Sequence, residues 1–155
     1  MPPAVTRERL AGCRLRRDPA QVGQARRLVR ESLARWDLDD YIDYTVLIIS
    51  ELVTNALRHG AGTISIQLSR AGHDLRIEVH DHGPGRPVRR HAGTGDEGGR
   101  GLEVIDGLLR MYDGHRGCTD DDSGPGKTVY VVMSLIANET GNWSACPRPG
   151  TPAGR

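Results

Sequence analysis

The chain has 155 residues and a net charge of +1, which suits one domain with a substantial core and gives no overall field toward nucleic acid or membrane. Phe is absent, so aliphatic side chains are expected to fill the core. The longest apolar run, Val46-Leu47-Ile48-Ile49, is far too short to span a bilayer.

In chain order, Met1-Pro2-Pro3-Ala4 leads into charge rather than an apolar segment, so no signal peptide is expected. Residues 1–9 read as a flexible N-terminus, 10–137 as a single domain, and 138–155 as a tail. Cys13–Arg17 alternates weakly and predicts a short edge strand. Asp18-Pro19 is a helix start, with Asp as N-cap and Pro at the first position. Val22, Ala25, Val29, Leu33 and Trp36 carry its apolar stripe to about residue 36. Asp39 or Asp40 is expected to cap a second helix that runs to His59, with Gly60 as its left-handed C-terminal residue. Thr63–Ser69 and Asp74–His80 alternate as strands, and Arg70-Ala71-Gly72-His73 reads as their hairpin turn. Residues 82–99, rich in Gly, Pro, Arg and His, are long enough for a functional lid. Gly101–Met111 returns to helical spacing. Tyr112–Cys118 predicts a strand, Asp120–Gly126 a turn, and Lys127–Ile136 a Val-dense buried strand. From Asn138 onward the composition predicts disorder with Trp143 as an anchor.

Residues 1–36 hold nine Arg against Glu8, Asp18 and Glu31. That reads as a solvated, arginine-rich first helix, or else as a docking face for an acidic partner. Lys occurs once, at Lys127, which looks like the coding bias of a GC-rich genome. Cys13, Cys118 and Cys146 are odd in number and lack metal-ligand or redox spacing, so free thiols in a reducing cytoplasm are expected.

Glu51, Asn55 and His59 recur at i, i+4 and i+8, a drift of only about 40° on a helix. A carboxylate, a carboxamide and an imidazole therefore share one face while Ile and Leu crowd the other. Such a half-buried polar stripe is costly unless it has partners. Asp81-His82-Gly83-Pro84-Gly85 follows a strand directly. A strand-end carboxylate is placed to accept from an exocyclic amine such as that of adenine, and the glycines let backbone approach a flat ligand. Gly98-Gly99-Arg100-Gly101-Leu102 opens a helix, whose N-terminal N–H groups favour phosphate, with Arg100 able to add charge-assisted bonds. His80, His82 and His91 could suggest a metal. Strand alternation, however, turns His80 and His82 away from the face of Asp81, and zinc is not expected.

Each motif is weak alone, and Asp-x-Gly-x-Gly or a Gly-rich helix start is often only a turn. Their order is specific: acidic-amide helix, strand-Asp-x-Gly-x-Gly, long loop, Gly-x-Gly-Leu helix, Gly-Lys-Thr strand. This series resembles the GHKL ATP-binding superfamily, which includes gyrase-type and histidine-kinase ATPase domains, over about residues 10–137. Glu-Leu-Val-Thr-Asn-Ala-Leu-x-His-Gly and the compact length look most like the anti-sigma-factor serine kinases. The chain departs from the family pattern at Arg86-Pro87, where an aromatic or aliphatic residue often follows the glycine.

The resemblance implies an α+β two-layer sandwich, a mixed, mostly antiparallel sheet with helices on one face. It implies that Asn55 coordinates Mg²⁺ on the phosphates of ATP and that Glu51 is the general base for an attacking serine hydroxyl. Asp81 would bind the adenine amine with support from Thr128, while Gly83 and Gly85 shape the adenine pocket. Gly99, Arg100, Gly101 and Leu102 would wrap the phosphates, with Arg58 and His59 near that end. For His59 an interaction with its helix dipole is an equal alternative. The implied function is an ATP-dependent protein-serine/threonine kinase. It would phosphorylate a STAS-type anti-sigma-factor antagonist and sequester a sigma factor. The alternative is a switch that binds ATP and a partner without transfer. The open sheet face or first strand could support a homodimer, and no direct nucleic-acid or membrane partner is expected.

Overall fold

The computed structural model describes residues 9–83, 100–137 and 143–144. The expectations of a flexible start, of a lid over 82–99 and of a disordered tail fall largely outside these residues. The described part is an α+β sandwich. Strands β1 (Arg9–Leu15), β2 (Ile64–Ala71), β3 (Asp74–Asp81), β4 (His115–Asp120) and β5 (Lys127–Ser134) form a five-stranded sheet in the order β1-β2-β3-β5-β4. Every pairing in it is antiparallel, so the mixed sheet expected from the sequence is an antiparallel one here. Helices α1 (Val22–Arg35), α2 (Ile42–His59) and α3 (Arg100–Met111) pack against one face.

Period-2 alternation decides which side of each strand they cover. Ile64, Ile66 and Leu68 of β2, Leu75, Ile77 and Val79 of β3, and Val131 and Met133 of β5 are buried in one cluster. Val29 and Leu33 of α1, Ile48, Ile49, Leu52 and Val53 of α2, and Ile105 of α3 complete it. Each such side chain contributes roughly 1.5–3 kcal/mol by leaving water. The core is not purely aliphatic. Tyr112 is buried, with its ring centroid 6.0 Å from that of Tyr41 and 5.0 Å from that of Tyr44.

Strand β1 lies earlier than the expected Cys13–Arg17. Its ladder with β2 ends at Leu15↔Ile64, and the next residues leave the sheet to start the helical layer. Asp18 does cap a helical turn, accepting from the Ala20 N–H at 2.9 Å, but that turn, Pro19–Gln21, is a 3-10 turn ahead of α1. Helix α1 ends in a Schellman motif. Asp37 takes the left-handed conformation at φ +57°, and the Leu38 N–H returns to the Leu33 carbonyl at 2.8 Å. Neither Asp39 nor Asp40 caps α2. Both sit in a second 3-10 turn, Asp39–Tyr41, and Tyr41 holds the N-cap position without a side-chain cap bond. Burial of the Tyr41 ring sets that boundary instead of a carboxylate.

Helix α2 ends at His59 as the spacing predicts, but Gly60 is extended rather than left-handed, at φ −94° and ψ −168°. The hairpin between β2 and β3 turns on Gly72, at φ +59°, with Ala71 paired to Asp74. The expected strand at Tyr112–Cys118 begins at His115, because α3 closes in a left-handed Asp113 (φ +50°) with the Gly114 N–H on the Leu109 carbonyl at 2.9 Å. Past the main sheet, β6 (Ile136–Ala137) pairs with β7 (Trp143–Ser144). Among the described residues no helix is long and apolar enough to cross a membrane.

One arginine of the basic N-terminal stretch is structural. Arg17 donates through Nη1 to the Ala56 carbonyl at 2.9 Å and through Nη2 to the Leu57 carbonyl. The Ala56 carbonyl also accepts from the Gly60 N–H at 2.9 Å. The last carbonyls of a helix otherwise lack partners within it, and that end of the helix dipole is negative. Arg17→Ala is expected to cost about 1–2 kcal/mol through these charge-assisted bonds, seen as a lower urea midpoint at unchanged slope. An unchanged midpoint would show that the cap contributes nothing.

Candidate functional site

The polar stripe of α2 splits along its length. Asn55 and His59 reach a cavity whose other polar walls are Asp81, at the end of β3, and Lys127, at the start of β5. Leu52, Ala56, Val79 and Val129 supply its apolar lining. The cavity measures about 20 Å³, the room of a water molecule rather than of a ring, so a larger ligand enters only by moving side chains.

Glu51 does not line this cavity. Its carboxylate lies over Gly101, where any side chain would collide with Oε2. The structure thus sets Glu51 against the first turn of α3, one helical turn from Asn55. A carboxylate at that position sits at the positive end of the helix dipole.

Backbone contacts fasten the end of α2 to the end of β3. The His82 N–H donates to the Ala61 carbonyl at 2.8 Å. A Cβ on Gly60 would lie 2.5 Å from Asp81 Cγ and 2.6 Å from the Ala56 carbonyl oxygen, and one on Gly83 would lie 2.8 Å from Gly60 Cα. Gly60 and Gly83 are therefore required by close approach rather than by handedness. This crossing sets the distance between the α2 stripe and the Asp81 carboxylate.

Asp81 is 1% exposed. Its Oδ1 accepts from the Gly83 N–H at 2.7 Å and from Lys127 Nζ at 3.0 Å. The ammonium also donates to the Gly83 carbonyl at 3.3 Å. The pair is dictated by register: β3 and β5 set Leu75 opposite Met133, Ile77 opposite Val131, Val79 opposite Val129 and Asp81 opposite Lys127. The last of these pairs falls on the helix-covered side with the three apolar ones. Removing both charges from water is costly, and only mutual attraction with added hydrogen bonds offsets the cost.

The other expected residues divide as follows. Thr128 is not brought to the cavity. It stands opposite His80 and Thr119, and strand alternation turns it to the outer face. Lys127, not Thr128, takes the inward place opposite Asp81. The Leu102 side chain is buried in the apolar core and anchors α3, which leaves only its backbone N–H, in the first turn of the helix, to face a phosphate. Arg58 is exposed and outside the cavity lining. Arg100 opens α3, while Gly85 and Gly99 lie outside the described residues. His80 and His82 share the outer face as alternation predicts. Their rings meet edge to face at 5.0 Å, and His80 Nε2 is 2.8 Å from Asp121 Oδ2.

Lys127 was missed by sequence reasoning. Its signal was present, as the only lysine of the chain and the first residue of the last main-sheet strand, but its meaning depends on the β3–β5 register. The site therefore offers a carboxylate with an ammonium beside it, a carboxamide and imidazole above, and a second carboxylate at the mouth of a helix. A carboxamide oxygen is a hard donor suited to Mg²⁺. The glycines at 60, 83 and 101 let the protein's own segments close up around this site, since a Cβ at any of them would collide with Asp81, the Gly60 backbone or Glu51.

Residues 15–133 match the family of histidine kinase-like ATPase domains. The signal transduction histidine-protein kinase AfsQ2 of Streptomyces coelicolor is 42% identical over 41 residues, which is 26% of this chain and 8% of that kinase. The match thus spans only a small part of that relative. Among solved structures, the histidine kinase domain of the blue-light activated kinase from Erythrobacter litoralis EL346 is similar with a TM-score of 0.47 at 20% identity, covering 77% of this chain and 61% of that one. The histidine kinase AdeS of Acinetobacter baumannii gives 0.47 at 18% identity, covering 81% and 68%. The family match runs from the end of β1 to the end of β5 and takes in Glu51, Asn55, Asp81, Gly101 and Lys127, so this chain belongs to the histidine kinase-like ATPase domain family.

Proposed function

We propose that the protein is a Mg·ATP-dependent protein-serine/threonine kinase that phosphorylates an anti-sigma-factor antagonist and sequesters a sigma factor. The observation that carries this reading is the separation of two carboxylates. Asp81 is buried beside the cavity, whereas Glu51 stands outside it against the start of α3. A protein that only binds nucleotide needs the first, whereas phosphoryl transfer also calls for a base such as the second.

In this reading Asp81 accepts from the exocyclic amine of adenine, and Asn55 holds Mg²⁺ through its carboxamide oxygen. The first turn of α3 meets the phosphates with its N–H groups. ATP supplies the transferable phosphoryl group. Glu51 accepts the proton of the attacking serine hydroxyl as its oxygen bonds to the γ-phosphorus and the bond to the ADP oxygen breaks. Phosphoryl transfer asks for this combination of positioning, charge neutralisation and a base near the nucleophile. The location of such a kinase is the cytoplasm, where both partners would be met.

Two expected outcomes test the reading. With labelled ATP, Mg²⁺ and a candidate antagonist, Glu51→Ala should bind ATP as the parent does and transfer phosphate about 10²–10⁴-fold more slowly, the usual weight of a general base. Nucleotide binding with no transfer by the parent protein would sink the kinase in favour of a non-catalytic switch. Separately, ATP with Mg²⁺ at about 100 times its dissociation constant should stabilise the fold by about 2.7 kcal/mol. Asp81→Asn, checked for folding by circular dichroism, should abolish that stabilisation. Undiminished stabilisation in folded Asp81→Asn would refute the adenine assignment.

A further inference from the structure

The buried Lys127–Asp81 pair lies in the wall of the cavity, and each partner has bonding capacity left over. Carboxylates accept at two oxygens. Oδ1 of Asp81 already takes the Gly83 N–H and Lys127 Nζ, while Oδ2 accepts no hydrogen bond among the described residues. An ammonium has three N–H donors, and Lys127 spends two of them, on Asp81 Oδ1 and on the Gly83 carbonyl. The wall thus presents an open acceptor next to an open cationic donor. Both side chains are nearly inaccessible, at 2% and 5% side-chain exposure, so an incoming group would meet them without competition from bulk water.

We infer that Lys127 reads the base together with Asp81. This rests on the nucleotide reading given above and extends it. The complementary ligand edge carries a donor beside an acceptor, which adenine offers in its 6-amino group and N1. Asp81 Oδ2 accepts from the amine, and the third N–H of Lys127 donates to N1. The flexible four-carbon stem lets the ammonium stay on Oδ1 while the stem swings aside, which the small cavity requires. Keeping the ammonium in place also leaves the Asp81 charge compensated when the base is bound. A hydroxyl at this position has one donor and no charge, so it could not serve the carboxylate and N1 together.

The inference is tested by comparing ATP with 1-deaza-ATP, in which a C–H replaces N1, on the full chain with Mg²⁺, by calorimetry. The parent protein should bind the 1-deaza nucleotide at least about tenfold more weakly, as expected for loss of a bond to a charged group. Lys127→Met should bind ATP more weakly than the parent and distinguish the two nucleotides by less than about threefold. Equal binding of both nucleotides by the parent, which needs no variant to fold, overturns the inference alone. Discrimination that survives in Lys127→Met also overturns it, because another group then reads N1. Tighter ATP binding by Lys127→Met would make Lys127 a plug in the pocket, and the inference falls. If the parent binds neither nucleotide, the ATP reading itself fails and takes this inference with it.

Discussion

The antiparallel register between β3 and β5 is the constraint on which the rest of the structure depends. Three of its cross-strand pairs are apolar and lie under the helices, and the next pair in the same phase is Asp81 with Lys127. A slip of one residue would send all of them to the other face. Aspartate would then lose its cation, and Val129 and Val131 would face solvent. Core packing and site geometry are therefore one requirement. The hydrophobic effect selects the register, and the register delivers two opposite charges to the same buried spot.

A second constraint acts at the other end of the site. Helix α2 could slide or tilt over the sheet if only apolar side chains held it. The backbone crossing at Gly60 and Gly83 and the bond from His82 to Ala61 remove that freedom. Arg17 grips the same helix end from the β1–α1 connection. At the opposite side of the site, Arg116 holds Asp106 of α3 with two bonds, 2.6 and 3.2 Å long. Helix α2 is thus anchored at its functional end by polar contacts to other elements, and α3 near its middle, at Asp106.

Much of this was legible in the sequence because it is periodic. The 3.6-residue stripe of α2 gave its extent to His59 and placed Asn55 and His59 together. Period-2 alternation gave β2, β3 and the outward turn of His80 and His82. Ordered motifs pointed to the fold family. Tertiary choices were not legible. Gly60 has the sequence signature of a left-handed cap, yet it is extended, and glycine is needed there because the Asp81 carboxylate occupies the space a Cβ would take. Asp39 and Asp40 look like caps, but burial of Tyr41 starts the helix later. Thr128 and Lys127 are adjacent, and only the strand phase decides which of them faces inward. A motif that names three successive residues does not reveal that phase.

The Asp81–Lys127 pair joins residues 46 apart in the chain. The helix with its stripe and the β2–β3 hairpin are both complete by residue 81, and their contacts are local and quick to form. The carboxylate acquires its counter-charge only when the final main-sheet strand inserts between β3 and β4, a long-range closure whose entropy is met late. During synthesis the N-terminal half therefore carries a carboxylate that has to stay hydrated, which keeps that end of the sheet open. Strand β5 supplies both core side chains and the pocket's cation, so chains cut short before this strand have neither a finished sheet nor a site.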